Sequence, residues 1–203
     1  MTESFPELRE RDVDSDPLAQ FQRWFAEAAR DIPLSEAAAL ATADASGRPS
    51  VRMVLIKGWD KQGFVFYSNH ESRKGGELAA NPRAALLFYW PELGRQVRIE
   101  GPVKRIGEAD SDRYFASRPR ASQLGALTSA QSQIVSSREA LDRKFSELEG
   151  SLEGQPVVRP AWWGGYQLEP GSYEFWQHRE DRLHDRLRFL REASSWRVDR
   201  LQP

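Results

Sequence analysis

The sequence predicts a mainly β fold of the α+β class, an antiparallel β-barrel with helices at its periphery. Segments of alternating apolar side chains lie on both sides of a helical stretch in the middle of the chain, and tight turns join them. Such short connections favour antiparallel pairing, because parallel strands need long crossovers. The motifs G-x-G-x-x-G and G-x-x-x-x-G-K-[ST] do not occur, which argues against a doubly wound nucleotide-binding sheet.

The N-terminal elements follow from capping and periodicity. Residues 1–15 are charged and lack apolar periodicity, so we expect a mobile arm there. Asp16 before Pro17 provides an N-cap and a first-turn proline, and the apolar stripe that follows predicts a helix over 17–30. Ser72 is expected to cap a short second helix. Strands are predicted over 38–43, 51–57, 64–68, 84–90 and 96–106.

The middle of the chain is predicted to be helical, and strands return after it. Helices are predicted over 108–117 and 122–131, and a third begins at a capping box, Ser136 to Glu139, and ends at Gly150. Strands are predicted over 163–168, 173–177, 187–191 and 196–201. Residues 16–203 would then form one domain, since a chain of this length supports a single core.

Composition excludes several classes of protein. The 203 residues carry a net charge of −1, from 29 basic and 30 acidic residues, without the basic footprint of a nucleic-acid-binding protein. There is no cysteine, and the 3 histidines are too scattered for a zinc motif, so we expect no metal site. The apolar run 84–90 is too short to span a membrane, and the acidic first residues do not resemble a signal peptide. We therefore expect a cytoplasmic protein.

Two cations interrupt the apolar strand predicted over 51–57. Arg52 and Lys57 are five residues apart, so a regular strand places them on opposite faces. Either each side chain extends from a strand end into water, or one or both meet a buried anion. The strand alone favours the first interpretation.

A second cluster lies where a predicted strand runs into a helix. It comprises Tyr67, Ser68, Arg73 and Lys74, and two glycines follow it. A helix start offers unpaired N–H groups and the positive end of the helix dipole, which suit a phosphate. Glycine lets a ligand approach the backbone closely. Cations are unfavourable at this end of a surface helix, so their presence favours anion binding.

Two further groups carry polar side chains suited to a flat, phosphorylated ligand. Tyr114 and Arg118 share a helix face, and a proline turn brings Ser122 round to them. Their hydroxyl and guanidinium groups are donors that a phosphate monoester needs, although an ordinary helix C-terminus would look similar. The side chains of Gln96, Gln131 and Ser132 can read the edge of a heterocycle or can simply be polar loop residues.

A last cluster crowds the segment between two predicted C-terminal strands. Arg182, His184 and Arg186 alternate, so they share one side if the segment is extended, and Trp176 lies close in sequence. A solvated charged loop is the ordinary interpretation. A row of arginine, histidine and arginine beside a tryptophan is also suited to clamp an anionic aromatic ring.

Eight segments keep an order and a spacing that identify a family. They are RMVLIK at 52–57, FYSNHESRKGGEL at 66–78, RQVRIEG at 95–101, YFASRPRASQLGA at 114–126, QSQ at 131–133, WWGGY at 162–166, EFWQ at 174–177 and RLHDR at 182–186. In these segments the chain resembles the pyridoxine (pyridoxamine) 5′-phosphate oxidases, which are FMN enzymes with the split-barrel flavin-binding fold. The likeness runs from about Asp16 to the C-terminus.

The resemblance implies a role for each matching position. FMN contacts fall on Arg52, Lys57, Tyr67, Ser68, Arg73, Lys74, Gln96, Gln131, Ser132, Trp176 and Arg186, some of them from a second subunit. The substrate phosphate falls on Lys57, Tyr114, Arg118 and Ser122. The reacting substrate ring falls on Arg182 and His184, which would be the catalytic residues. The family is a homodimer with FMN at the subunit interface.

The implied reaction oxidises the 4′ carbon of pyridoxamine or pyridoxine 5′-phosphate and yields pyridoxal 5′-phosphate. Hydride passes to the flavin, and O2 then reoxidises it with formation of H2O2. Three alternatives share the fold, which alone does not separate them. They are a related flavin oxidase of another ring, as in phenazine biosynthesis, a non-catalytic binder of pyridoxal phosphate, and a split barrel that binds deazaflavin or haem. No nucleic-acid or membrane partner is expected.

Overall fold

The computed structural model describes residues 5–203, which form a barrel of antiparallel strands with helices packed around it. The strands are β1 (Ala37–Ala43), β2 (Pro49–Asp60), β3 (Gly63–Asn69), β4 (Arg83–Trp90), β5 (Arg95–Arg105), β6 (Trp163–Leu168), β7 (Ser172–Gln177), β8 (Asp185–Glu192) and β9 (Ser195–Arg200). The helices are α1 (Pro17–Asp31), α2 (Arg73–Ala80), α3 (Glu108–Ser117), α4 (Arg120–Thr128) and α5 (Arg138–Ser151). The predicted fold class is confirmed, and most boundaries agree within about two residues.

Among residues 5–203, six strands close the barrel. They run in the order β4-β1-β2-β3-β6-β5, and β5 pairs again with β4 to complete the ring. The long strand β5 divides its other side between two partners. Residues Val103–Arg105 pair with β6, whereas Arg95–Glu100 pair with β7. The strands β7, β8 and β9 therefore branch away from the ring, which makes the barrel a split one.

Aromatic side chains fill the barrel, and α1 packs its apolar face against them. Phe21 of α1 is fully buried, with its ring centroid 4.9 Å from that of Phe64 and 5.0 Å from that of Phe88. Burying such a side chain contributes roughly 1.5–3 kcal/mol. Asp16 caps α1 as predicted, because its side chain accepts a hydrogen bond from the backbone N–H of Leu18. The N-cap defines where α1 begins, and its apolar face holds the helix against the barrel.

The helical middle packs over β6 through a smaller apolar cluster. Phe115, Leu124 and Trp163 are buried there. The predicted helix over 122–131 is wrong at both ends, because α4 spans Arg120–Thr128. Residues 129–137 therefore form a loop, which frees polar side chains that a helix would have placed elsewhere.

The start of α5 also differs from the prediction. The capping serine is Ser137 rather than Ser136, and its hydroxyl accepts a hydrogen bond from the backbone N–H of Ala140. Two consecutive serines satisfy the capping pattern almost equally, so the sequence does not decide between them. No helix in the described part of the chain is both long and apolar enough to cross a membrane.

The N-terminal segment, predicted as a mobile arm over 1–15, is packed against the C-terminal strands where it is described. Leu8 is buried in the barrel core, and its backbone N–H donates to the carboxylate of Asp185. Arg200 donates to Glu10 and to the backbone carbonyl of Leu8. A single apolar residue gives no periodicity, so the sequence pattern did not indicate this docking. Residues 1–4 of the predicted arm lie outside the described residues.

Candidate active site

A cleft of about 830 Å³ opens beside β2, between the start of α2 and the helices α3 and α4. This volume lies within the range of small-molecule pockets, about 300–1,000 Å³. The cations that line it are Arg52, Lys57, Arg73, Lys74 and Arg118, and no lining residue is an aspartate or glutamate. Glu77 pairs with Arg52 and Arg73 from behind the lining, and Glu36 pairs with Lys57, so Lys74 and Arg118 are the lining cations without a carboxylate partner among residues 5–203. Such excess positive charge attracts anionic ligands. The cleft is therefore suited to phosphate groups.

Lys74 is the most constrained of these cations. It is only 7% exposed, and its Nζ donates to Ser68 Oγ at 2.9 Å and to Gln131 Oε1 at 3.3 Å. Burial lowers the pKa of Lys74, and the nearby positive charge of Arg52 lowers it further. Within residues 5–203 no ion pair joins its ammonium to a carboxylate. A buried ammonium held by neutral oxygens is costly unless an anion joins it.

An aromatic wall forms one side of the cleft. The rings of Tyr67 and Tyr114 stack with centroids 3.8 Å apart, and Trp163 lies parallel to Tyr67 at 5.5 Å. The guanidinium of Arg118 lies 4.6 Å from the centre of the Trp163 ring. Its Nη1 is buried and has no hydrogen-bond partner among the described residues. Such a donor calls for an acceptor from a ligand.

Arg52 and Lys57 both line the cleft, although their odd separation predicts opposite faces of a regular strand. The pairing of β2 with β3 shifts register between Ile56 and Gly58, so the strand is irregular at Lys57. A bulge of this kind redirects a side chain. The Nζ of Lys57 lies 3.3 Å from Glu36, and both side chains are partly exposed.

The start of α2 has the predicted cap but uses its glycine differently. The side chain of Ser72 accepts a hydrogen bond from the backbone N–H of Gly75. A Cβ on Gly75 would lie 2.0 Å from the carbonyl oxygen of His70. Gly75 is thus required by the close approach of the chain to itself, whereas a Cβ on Gly76 would meet nothing within 4 Å, and ligand approach at these glycines stays a prediction.

A second group of predicted residues lies on the branching strands. Gln96 of β5 is opposite Trp176 of β7, which is opposite Arg186 of β8. The ring of His184 lies 4.6 Å from that of Trp176. Arg186 donates to Glu174 at 2.8 Å, and this bond raises the pKa of Arg186. Three neighbouring strands thus present one polar and aromatic row.

The predicted same-side row of Arg182, His184 and Arg186 is not formed. The strand β8 begins only at Asp185, and Arg182 closes a short 3₁₀ turn with φ of 60°. The backbone N–H of Arg179 donates to Nδ1 of His184 at 3.2 Å. The segment is therefore a turn rather than an extended strand, because consecutive left-handed residues at 181 and 182 reverse the chain.

The structure divides the predicted site residues into two groups. Those that line the cleft are Arg52, Lys57, Tyr67, Ser68, Arg73, Lys74, Tyr114, Arg118, Ser122, Gln131 and Ser132. Those that do not line it are Gln96, Trp176, Arg182, His184 and Arg186. The residues that sequence reasoning missed are Ser50, Asn69, Ser129 and Trp163 in the lining and Glu77 behind it. Only Glu77 had a usable signal, since it stands four residues after Arg73 on one helix face.

Comparison with known proteins identifies the family. Residues 25–152 match the family model described as "Pyridoxamine 5'-phosphate oxidase", and residues 163–203 match the "Pyridoxine 5'-phosphate oxidase C-terminal dimerisation region". A pyridoxine/pyridoxamine 5′-phosphate oxidase from Rubrobacter xylanophilus is 57% identical over 197 residues, covering 97% of this chain and 91% of that protein. The chain belongs to the pyridoxamine 5′-phosphate oxidase family. The resemblance found in the sequence motifs is thereby confirmed.

Solved structures of this family and its relatives share the fold. PhzG from Burkholderia lata, crystallised with tetrahydrophenazine-1-carboxylic acid, is 35% identical with a TM-score of 0.91, over 98% of this chain and 100% of PhzG. A protein from Nostoc punctiforme, described as "pyridoxamine 5'-phosphate oxidase-related, FMN binding protein", is 16% identical with a TM-score of 0.73, over 93% of this chain and 98% of its own. At 16% identity, the likeness to the Nostoc punctiforme protein shows only that the two chains share the split-barrel fold.

Proposed function

We propose that the chain is an FMN-dependent oxidase that converts pyridoxamine or pyridoxine 5′-phosphate to pyridoxal 5′-phosphate, with O2 as acceptor and H2O2 as the second product. The observation that carries this proposal is the buried ammonium of Lys74, held only by neutral oxygens in a cleft lined by cations. A relative that shares 57% of its residues with this chain bears the name pyridoxine/pyridoxamine 5′-phosphate oxidase, which supports the substrate class.

The cleft fits FMN on the chemistry of its donors. Arg52, Arg73 and Lys74 offer three positive charges at the start of α2, where a dianionic phosphate is favoured by charge and by the helix dipole. Ser68 and Gln131 supply neutral partners next to Lys74. When bound, FMN supplies a two-electron acceptor that no side chain of the protein can replace.

A second anion is expected at the other end of the same cleft. Lys57, Tyr114, Arg118 and Ser122 all line it, and the unpartnered Nη1 of Arg118 offers a buried donor. Burial lowers the pKa of Arg118, yet a guanidinium keeps its charge at neutral pH. A substrate phosphate placed there would be gripped by two cations and two hydroxyls. This arrangement accounts for a phosphorylated substrate.

The residues that do not line the cleft are assigned to the neighbouring subunit's site. The match of residues 163–203 to a dimerisation region supports a homodimer. We place FMN at the interface of this dimer, with the cleft of one protomer completed by Gln96, Trp176, Arg182, His184 and Arg186 of the other. The protein is expected to work in the cytoplasm.

Arg182 and His184 are assigned to the substrate ring, and His184 would act as a neutral hydrogen-bond donor. Burial lowers the pKa of His184, and the positive charges of His178 and Arg182 lower it further. Its Nδ1 accepts a hydrogen bond from the backbone N–H of Arg179, so its proton lies on Nε2. Nε2 can then donate to an oxygen of the substrate while Arg182 supplies positive charge. No strong base is required of the protein.

A related oxidase of an unphosphorylated ring is the second candidate. The TM-score of 0.91 with PhzG, which was crystallised with a tetrahydrophenazine carboxylic acid, supports it. The carboxylate of such a ring also offers an acceptor to Arg118 Nη1, but it has two oxygens, whereas a phosphate monoester offers three to the donors of Lys57, Tyr114, Arg118 and Ser122. The phosphorylated substrate is therefore preferred.

Anaerobic titration of the purified protein tests the proposal. We expect a flavin absorption spectrum that bleaches when pyridoxamine or pyridoxine 5′-phosphate is added and that returns with O2. A yellow protein that bleaches only with a phenazine precursor would favour the second candidate. A protein that stays colourless after incubation with FMN but binds pyridoxal phosphate would be a non-catalytic binder.

A further inference from the structure

Glu77 lies behind the cleft and connects two of its cations. Its side chain is 6% exposed and both of its oxygens are occupied. Oε1 accepts from Nε of Arg73 at 2.9 Å. Oε2 accepts from Nη2 of Arg52 at 3.2 Å, from Ser50 Oγ at 2.6 Å and from the hydroxyl of Thr42. One carboxylate thus joins β1, β2 and α2.

The carboxylate of Glu77 is ionised at neutral pH. Burial raises the pKa of Glu77, but the hydrogen bonds from Ser50, Thr42, Arg73 and Arg52 outweigh burial and bring it to about 2. A carboxylate that receives several donors has little freedom to move. The groups bonded to it are therefore held in fixed positions.

Arg52 is fixed on its remaining sides as well. Its Nη1 donates to the backbone carbonyl of Leu40 and to Thr42, and its Nη2 donates to Ser50 in addition to Glu77. An arginine fork that binds a phosphate well must be held in the correct orientation beforehand, because ordering a long side chain upon binding costs free energy. Glu77 contributes to this order although it does not itself line the cleft.

We propose that Glu77 is a positioning residue that sets the side chains of Arg52 and Arg73 for the phosphate of FMN. This rests on the proposed function, in which these two arginines face that phosphate. Coulomb's law alone gives the opposite expectation, since a negative charge behind the site repels the dianion. Removing the charge would then strengthen binding, whereas loss of positioning weakens it. The two accounts therefore predict opposite changes in FMN affinity when the charge of Glu77 is removed.

The test compares FMN with riboflavin, which lacks the phosphate, in wild type and Glu77→Gln. Dissociation constants are measured by quenching of flavin fluorescence on the apoprotein. We expect the dissociation constant of FMN to rise at least about tenfold in Glu77→Gln, because two arginines lose their common anchor. The constant for riboflavin is expected to stay within about twofold.

Glu169→Gln is the matched control variant. It removes one carboxylate from a half-exposed pair with Arg191, and Glu169 does not line the cleft. We expect it to bind both flavins as the wild type does. Unchanged or tighter FMN binding by Glu77→Gln would overturn the proposal in favour of simple charge repulsion. Equal losses for FMN and riboflavin would overturn it in favour of general damage to the fold.

The wild-type protein separates this proposal from the proposed function. If the wild type bleaches with pyridoxamine phosphate while Glu77→Gln binds FMN normally, the role of Glu77 alone is rejected. If the wild type binds FMN but no vitamin B6 phosphate bleaches it, the oxidase proposal is rejected, and the comparison of FMN with riboflavin still decides the role of Glu77. If the wild type does not bind FMN, both are rejected.

Discussion

The cleft and the turn at residues 181 and 182 differ in how firmly the chain holds their functional groups. In the cleft, Lys74 and Glu77 are both nearly buried, and hydrogen bonds hold each of them. At the turn, Arg182 is exposed on left-handed backbone and forms no ion pair within residues 5–203. A cofactor phosphate benefits from groups that are ordered in advance. A group that meets the reacting ring can instead become ordered when a second protomer covers it.

Under the proposed function, the cleft would serve binding and the exposed turn would serve turnover. The cleft groups should determine whether FMN stays bound. The exposed turn should determine how fast a bound flavin is reduced. Variants in the cleft are therefore expected to lose FMN, whereas variants at the turn are expected to keep FMN and reduce it more slowly.

Arg182→Ala should show the largest effect on turnover. We expect kcat to fall about 100-fold, because the positive charge over the substrate ring is lost, while FMN affinity changes less than about twofold. Steady-state kinetics per bound flavin and FMN titration measure the two quantities. Arg197→Ala, which removes an arginine from an exposed ion pair on β9, is the matched control. Loss of FMN with normal turnover per bound flavin would contradict the assignment of Arg182.

Mixing two inactive variants tests whether the regions act across a dimer. Lys74→Met should lose FMN, whereas Arg182→Ala keeps FMN and loses turnover. In a mixed dimer one site would combine an intact cleft with an intact turn. Random mixing would restore about a quarter of wild-type activity, since half of the dimers are mixed and each has one good site.

The mixed sample is prepared by co-expressing the two variants with different affinity tags and purifying on both. Doubly tagged dimers should then approach half of the wild-type activity, with half of the wild-type FMN content. Co-expressed tagged wild type provides the reference value. If doubly tagged dimers are as inactive as either parent, both regions serve the same protomer and the contrast between them is misassigned.

The smallest expected effect concerns acid stability behind the cleft. Burial lowers the pKa of His70 to about 4, with further lowering from Arg105 and Arg159, and its Nδ1 has no hydrogen-bond partner among the described residues. The unfolded chain takes up this proton near pH 6.5, so stability falls as the pH drops from about 6.5 to 4 and then levels off. The loss by pH 5 is on the order of 1–2 kcal/mol after allowance for the partial exposure of the ring.

Urea unfolding of the apoprotein at pH 7 and pH 5 measures this loss. His70→Gln should remove most of the difference between the two pH values. The lowered pKa of Glu77 acts only below about pH 4.5, whereas the lesser lowering at His184 acts in the same pH window as His70 and leaves a residual loss in the variant. An equal pH dependence in the variant and the wild type would show that His70 is not the group responsible.

Local patterns in the sequence predicted most of the residues that line the cleft. They did not predict Glu77, which holds two of those residues in place. Arg73 and Lys74 stand beside a helix start, and Tyr114 and Arg118 lie one turn apart, so short-range spacing was sufficient to indicate them. The role of Glu77 depends on contacts across three elements. Such contacts follow from the register of β1 and β2 and from the packing of α2, which spacing in the sequence does not determine.

The same limit explains the errors elsewhere. The alternation of Arg182, His184 and Arg186 suggested an extended row, but left-handed residues at 181 and 182 turn the chain. Aspartate is fairly frequent in left-handed backbone, but arginine is not, so Asp181 gave only a weak indication of the turn. The docking of the N-terminal segment through Leu8 was also not predicted. A single buried side chain produces no apolar periodicity in the sequence.

The branching of the sheet at β5 leaves β9 as the outermost strand of the described fold, with one side of its backbone unpaired. Exposed strand edges recruit further strands and promote fibre growth. Along this border Arg197 and Asp199 carry opposite charges and pair with each other. An incoming strand would have to displace these hydrated charges. Open-ended extension of the sheet along this border is therefore disfavoured.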